Sequence, residues 1–255
     1  MMTKQAGHQF LAKLGKKRLR PGGKEATDWL IKNGNFSKEK KVLEVGCNMC
    51  TTSIELVKTY QCHITGIDLD KNALEQAKQN IKTNQLEEYI TVQQGNAMHL
   101  PFDDNSFDIV INEAMLTMLS KNAKEKAIKE YYRVLKPNGI LLTHDITFFS
   151  DTLENTIDTL RETIHVNVHP MHRDDWLHLF QEIGFESQEI HGQMSLMTPT
   201  GMIKDEGFFN TMNILKNGLL KSENRPMFLN MFKFFNKTKK DLMYIAICSR
   251  KKEKS

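Results

Sequence analysis

The 255-residue sequence predicts an α/β fold, a parallel sheet covered by helices on both faces. Two observations predict it. From residue 41 short apolar runs alternate with longer stretches of helical spacing, and the lengths between successive runs suit strand–helix–strand crossovers. Val42-Leu43-Glu44-Val45 reads as the first strand and Ser53 to Tyr60 as the helix after it. His63 to Ile67 is the second strand. Lys71 to Asn84 places Ala73, Leu74, Ala77 and Ile81 on one helical face. Ile90 to Gln93, Phe107 to Ile111 and Ile140 to Thr143 supply three more strands, with a helix over Ala123 to Leu135. Beyond Asp145 the alternation stops. Thr152 to Val166 and Asp174 to Ile183 read as helices, the second stopped by Gly184, and 185–198 and 242–249 as two closing strands. The stretch 200–240, rich in Met, Phe and Asn, shows little helical regularity.

Residues 1–40 form a helical, basic extension, with Lys13, Lys16, Lys17, Arg18, Arg20 and Lys24 crowded around the turn signal Pro21-Gly22-Gly23 and a short helix from Glu25 to Lys32. Residues 41–255 are expected to be one domain with inserted stretches at about 146–184 and 199–240. With 40% hydrophobic and 26% charged residues the chain is globular rather than disordered. No run approaches ~18 consecutive apolar residues, so no membrane span and no membrane partner are expected. The basic N-terminus lacks the apolar core of a secretory signal, and four cysteines are too few for a disulfide scaffold, which points to the reducing cytoplasm. A net charge of +4, from 35 basic and 31 acidic residues, neither demands nor forbids a polyanionic partner.

The chemistry concentrates in Val42-Leu43-Glu44-Val45-Gly46-Cys47-Asn48-Met49-Cys50, a buried strand entering a tight turn and then a helix. In open parallel sheets ligands bind at the carboxyl ends of strands, beside such a turn. Gly46 lets backbone pass close under a ligand. Asp68 closes the second strand 22 positions later, where a carboxylate accepts from ribose hydroxyls. A dinucleotide fingerprint would need glycine at 48 and 51, and the sequence has Asn48 and Thr51.

These residues resemble the class I S-adenosylmethionine (SAM) dependent methyltransferases, whose first motif runs roughly E/D-x-G-x-G-x-G. Glu44 and Gly46 match it; Asn48 and Cys50 depart from it. Gly66-Ile67-Asp68, Gly95-Asn96-Ala97-Met98-His99-Leu100-Pro101-Phe102, Phe107-Asp108-Ile109-Val110 and Val134-Leu135-Lys136-Pro137-Asn138-Gly139 resemble the later motifs in order, covering about residues 41–145. The resemblance implies a doubly wound, mostly parallel seven-stranded sheet with a helical lid insertion, SAM as cofactor, and cofactor contacts from Glu44, Gly46, Asn48, Asp68, Leu69, Asn96, Ala97 and Asn112. Asn is among the better substitutes for glycine in a left-handed turn, and Cys50 is small enough to pack on the sheet. Asn96 in place of the usual Asp keeps an acceptor for the adenine amino group but gives up the charge. Whether Glu44 orients the methionine end or satisfies loop amides stays open.

Cys47-x-x-Cys50 has metal spacing but no second ligand pair, so no metal is expected. His165, His169 and His172 read as satisfied or solvent-facing, the run from Lys13 to Lys24 as a solvated surface, and His144 and Asp145 as polar residues where the fifth strand gives way to a loop. The family has no universal catalytic residue to carry over, and none is named. Asn112-Glu113-Ala114-Met115 lacks the N-P-P-Y pattern of enzymes that methylate the amino groups of adenine and certain glutamines, and no Pro-Cys supplies a cytosine-attacking thiol. What remains resembles the quinone and sterol methylating group, acting on a small-molecule O, N or C nucleophile. A SAM-binding sensor, and less favourably an RNA-directed enzyme, are the alternatives, and a homodimer is left open. Met194, Met197, Met202, Phe208, Phe209, Met212, Met227, Phe228, Met231 and Phe232 are expected to form an adaptable apolar wall over the crevice, with a stabilising cap or a dimer contact as the competing role.

Overall fold

The β-branched and leucine-rich runs pair into a single sheet in the computed structural model, which describes residues 5–150 and 153–252. The N-terminal part contributes α1 (Gly7–Lys13) and α2 (Gly23–Asn33). The regular part then runs β1 (Lys41–Val45), α3 (Thr51–Tyr60), β2 (His63–Asp68), α4 (Lys71–Thr83), β3 (Ile90–Gln94), β4 (Phe107–Glu113), α5 (Lys121–Val134) and β5 (Leu135–Phe148). It continues through α6 (Glu154–Ile164), β6 (Met171–His172), α7 (Arg173–Ile183), β7 (Phe185–Gln193), α8 (Pro199–Glu206), α9 (Phe208–Leu219), α10 (Arg225–Lys237) and β8 (Met243–Lys251).

The strand order is β3-β2-β1-β4-β5-β8-β7, with β6 paired to the end of β5. Strands β1 to β5 are parallel, and β8 joins antiparallel to both β5 and β7. The order reverses between β1 and β4, which opens a crevice at their carboxyl ends. Alternate residues explain why both faces are covered. Val42, Ile64, Ile109 and Leu142 meet Leu30, Leu56 and Ile81 on one side, while Leu43, Val110, Leu141 and Ile245 meet Ile128, Tyr131 and Trp176 on the other. A third core, holding Leu11, Leu160, Met202, Ile214, Phe228 and Met231, joins α1 and α6 to α8–α10.

Local chemistry sets the element ends. The Asp70 carboxylate accepts from the amides of Asn72 and Ala73 to start α4, and the Thr198 hydroxyl accepts from Gly201 N–H ahead of Pro199 in α8. Gly184 stops α7 at φ +110°.

Three expectations change. The fifth strand does not end at Thr143: β8 pairs with it from Ile140 to Thr147, so His144 and Asp145 lie inside a strand rather than at its exit. The stretch 200–240 is not irregular but three helices: α10 buries Phe228, Met231, Phe234 and Phe235 at helical spacing, and α9 is apolar on its outer as well as its inner side. The closing strands run Phe185–Gln193 and Met243–Lys251 instead of 185–198 and 242–249. The helix expected from Thr152 is seen as Glu154–Ile164; Thr152 itself lies outside the described residues.

Candidate functional site: a cleft at the sheet switch point

The turn after β1 is held by β2. The amides of Gly46 and Cys47 both donate to Ile67 O, at 2.9 and 3.0 Å, and Cys50 N–H donates to Cys47 O at 2.8 Å. Gly46 (φ +73°), Asn48 (φ +46°) and Cys50 (φ +58°) are all left-handed. Asn48 thus adopts the conformation for which it was judged a fair glycine substitute. Cys50 does so too, while its fully buried side chain packs in the sheet core. Cys47 and Cys50 are free thiols, and no metal-holding group of His, Cys, Asp or Glu occurs among the described residues.

Asp68 braces this turn from the end of β2. One carboxylate oxygen accepts from Asn48 N–H and the other from Asp70 N–H, each at 2.9 Å. Gly95 N–H donates to Asp68 O at 3.1 Å, bringing the loop after β3 alongside. There the Asn96 side-chain oxygen accepts from Met98 N–H at 3.0 Å. Glu44, Gly46, Asn48, Asp68, Leu69, Asn96 and Ala97 come together on one cleft of about 560 Å³, within the roughly 300–1,000 Å³ usual for small-ligand sites. Leu69 stands 64% exposed at its edge. Asn112 is the exception: it is fully buried inside the sheet, donates to Thr143 Oγ1 at 2.9 Å, and does not line the cleft.

Sequence reasoning missed the polar floor of this cleft. Glu113, at the end of β4, receives Thr27 Oγ1 at 2.8 Å, Thr52 Oγ1 at 3.2 Å, the Arg20 guanidinium at 3.2 Å and His144 Nδ1 at 3.1 Å. Burial alone would push the Glu113 carboxyl up, but Arg20 and His144 hold it down to about 2. Gly22 N–H donates to His144 Nε2 at 2.9 Å, so the imidazole donates through Nδ1 to Glu113. Arg20 also donates to Thr27 and Thr52. Nearby, Glu44 accepts from Ser53 Oγ, and burial raises its carboxyl to about 7. The basic N-terminal run therefore divides: Lys13, Lys17 and Lys24 are exposed, as a solvated face would be, while Lys16, Arg18 and Arg20 turn inward. Arg18 pairs with Glu55 at 2.7 Å, Arg20 with Glu113, and the fully buried Lys16 ammonium with Glu206 at 3.4 Å. No spacing rule joins residues this far apart; Pro21-Gly22-Gly23 was the one local sign that the segment turns inward.

The three histidines do separate work. His172 caps α7 through Asp174 N–H, His169 lies 3.3 Å from Arg161, and His165 meets the Gln5 carbonyl.

Helix α1 crosses the cleft, placing His8, Gln9 and Ala12 on its wall. Behind it lies a second, smaller space of about 80 Å³, walled by Leu11, Leu160, Val168, Met194, Met231 and Phe235 and by other largely apolar residues. His8, Leu19, Ala114 and Met118 border both spaces. Asp145 is the carboxylate on the small cavity's lining. It is fully buried, accepts from Thr117 N–H at 2.9 Å, and is raised by that burial. Lys124, buried against Leu119 O and His169 O, is lowered by burial to about 8. The inserted stretches reach this small cavity, not the larger cleft. The expected Met and Phe wall divides: Met194 and Met231 face the cavity, Met197, Met202 and Phe228 are core, and Phe208, Phe209 and Met212 face outward.

A switch-point cleft in a doubly wound sheet, fed by a glycine turn and a strand-end aspartate, defines a nucleoside-binding class of α/β protein. Comparison narrows the class. A family model described as a methyltransferase domain matches residues 43–143. An uncharacterized protein of Haemophilus influenzae is 56% identical over 252 residues, covering 98% of this chain and all of that one. A demethylmenaquinone methyltransferase of Lactiplantibacillus plantarum is 29% identical over 178 residues, 69% of this chain and 73% of that enzyme. The structure of a putative sarcosine dimethylglycine methyltransferase from Galdieria sulphuraria superposes with a TM-score of 0.78 at 15% identity, covering 98% of this chain and 99% of that one. Residues 43–143 are a methyltransferase domain, and S-adenosylmethionine is its cofactor.

Proposed function

We propose that the protein moves a methyl group from SAM to a small-molecule O, N or C nucleophile whose apolar part enters the small cavity. One observation carries this reading: the large cleft with its polar floor and the small apolar cavity share a wall, and a buried carboxylate, Asp145, lies on the cavity side of it.

The cleft's donor set fits the cofactor. A Cβ on Gly46 would stand 3.0 Å from Met115 Cγ, so only bare backbone leaves the turn open there. Each Asp68 oxygen takes one loop amide and keeps a second lone pair for a ribose hydroxyl. Leu69 and Ala97 offer apolar contact to a purine, and the Asn96 carbonyl keeps one lone pair for its amino group. Arg20 and Glu44 supply opposite charges for the carboxylate and ammonium of the methionine end. Asn112 drops out of the set. When bound, SAM supplies a methyl group activated by its sulfonium. The apolar walls exclude water from the acceptor, and Asp145 takes the proton of an acceptor that begins protonated.

The test is accumulation of S-adenosylhomocysteine when the protein is incubated with SAM and a metabolite extract. Turnover is expected, and Asp145→Asn should lower it by roughly a hundredfold or more while S-adenosylhomocysteine binding is kept. Tight cofactor binding without turnover in any extract fraction would leave the sensor reading. The RNA reading is left with Lys13, Lys17 and Lys24, because Lys16, Arg18 and Arg20 are engaged within the protein.

Glu44 makes the binding pH-dependent. With its pKa near 7 in the folded protein, the carboxylate that would meet the ammonium is present mainly above that pH. Affinity for S-adenosylhomocysteine should therefore rise between pH 6 and 8, and Glu44→Gln should flatten the rise. The sign for stability is opposite. A carboxyl raised from 4.5 to about 7 binds its proton more tightly when folded, so its stabilising contribution is complete below about 4.5 and is lost as pH rises through 7. Titration calorimetry and thermal melts across that range read the two effects separately.

A further inference from the structure

The outward side of the inserted helices carries residues that the proposed chemistry does not use. On α9 the inner face is Thr211, Ile214 and Gly218, and a Cβ on Gly218 would stand 2.4 Å from the Phe228 ring of α10. That close approach fixes the roll of the helix. Phe208, Met212, Lys216 and Leu220, four residues apart, consequently share the outer side, with Phe209 beside them. Phe208 is 59% exposed, Phe209 84%, Met212 50% and Leu220 69%, and the two rings meet edge to face at 5.8 Å. Singly exposed apolar residues are ordinary; a cluster held out by a packed helix marks a contact surface.

Charge identifies the contact. Residues 199–240 hold eight Lys and Arg against three acidic residues. Two of those acids turn inward: Asp205 accepts from Ser195 Oγ and Lys24 N–H, and Glu206 from Lys16 Nζ and the amides of Lys17 and Arg18. At the α9 side the exposed Lys216 and Lys221 stand against the exposed Glu223, which leaves that side cationic. Lys13 and Lys17 extend it, flanking the Leu14–Gly15 turn that Asn217 and Asn210 tie to α9. Cores of protein–protein interfaces are depleted in lysine, whereas helices lying on bilayers set lysines around Phe and Leu.

We propose that this face rests on an anionic lipid bilayer, with Phe208, Phe209, Met212 and Leu220 in the interfacial layer and Lys216 and Lys221 at the phosphate level. This replaces the expectation of no membrane partner. It concerns lying on the surface, since among the described residues no helix is long and apolar enough to cross. The inference is independent of the acceptor's identity.

Flotation with vesicles of equal parts phosphatidylglycerol and phosphatidylcholine, against vesicles of phosphatidylcholine alone, tests it. The full chain should float with the anionic vesicles, less so as salt is raised, and remain unbound with the neutral ones. Phe208→Ser with Phe209→Ser, and separately Lys216→Glu with Lys221→Glu, should each lower the bound-to-free ratio at least about tenfold. S-adenosylhomocysteine affinity, which draws on none of these side chains, should stay at the wild-type value in both. Failure to float, or flotation undiminished in the phenylalanine variant, overturns the proposal. So does a wild-type dimer in sedimentation that the phenylalanine substitutions dissociate, which would assign the face to a second copy of the chain.

Discussion

Asp68→Ala is expected to weaken S-adenosylhomocysteine binding by roughly a hundredfold or more, because two hydrogen bonds to a carboxylate contribute on the order of 1.5–3 kcal/mol each. Two losses combine in it. The ribose hydroxyls lose their acceptor, and the amides of Asn48 and Asp70 lose the carboxylate that holds the cofactor turn at 2.9 Å. Asp68→Asn keeps one carbonyl acceptor and should fall between the two. The residue lies at the edge of the cleft rather than in a core layer, so the variant should fold, and calorimetry on it reads binding directly. Wild-type affinity in a folded Asp68→Ala protein would mean that the end of β2 does not face the ribose, and the cofactor pose proposed above would have to be redrawn.

Glu206→Ala is expected to destabilise the fold by roughly 3–5 kcal/mol, lowering the melting temperature by on the order of 10 °C. Glu206 accepts from the buried Lys16 ammonium at 3.4 Å, from the amides of Lys17 and Arg18 at 3.0 and 2.9 Å, and from Asn210 Nδ2 at 2.8 Å. It is thus the point at which the segment after α1 is tied to the inserted helices. Alanine leaves a fully buried ammonium and two amides without their acceptor. The burial that already lowers the Lys16 pKa is then opposed chiefly by Asp205, without the paired carboxylate. Lys16→Met combined with Glu206→Leu removes both charges and should recover much of the loss in thermal melts. A double variant as unstable as Glu206→Ala would show that the amide contacts, not the stranded charge, carry the effect.

The parts of the fold legible in the sequence are those written in neighbouring residues. Val42 to Val45, Ile64 to Ile67 and Phe107 to Ile111 are strands because contiguous apolar runs suit a sheet covered on both faces. Lys71 to Thr83 is a helix because Leu74, Ala77 and Ile81 recur at its period behind an Asp70 cap. The turn after β1 was legible for a similar reason: Gly46 and Asn48 carry conformational preferences that need no distant partner to be recognised. Extending β5 past Thr143, by contrast, depended on β8 arriving from a hundred residues further along.

Tertiary structure alone decided the rest. Arg20, Glu113 and His144 form one buried network, yet 124 positions separate its ends, and each residue in isolation reads as surface or strand-end polarity. Within the basic run from Lys13 to Lys24, only the arrival of Glu206, Glu55 and Glu113 from three directions separates the inward Lys16, Arg18 and Arg20 from the exposed Lys13, Lys17 and Lys24. Which side of α9 faces outward followed from the Gly218–Phe228 contact, because apolar residues on both sides of that helix leave its buried side unmarked. Periodicity and turn preference act over a few residues and are written in order along the chain. Which buried charge meets which, and which way an apolar helix rolls, is set only when folding brings remote surfaces together and each desolvated group must find its partner.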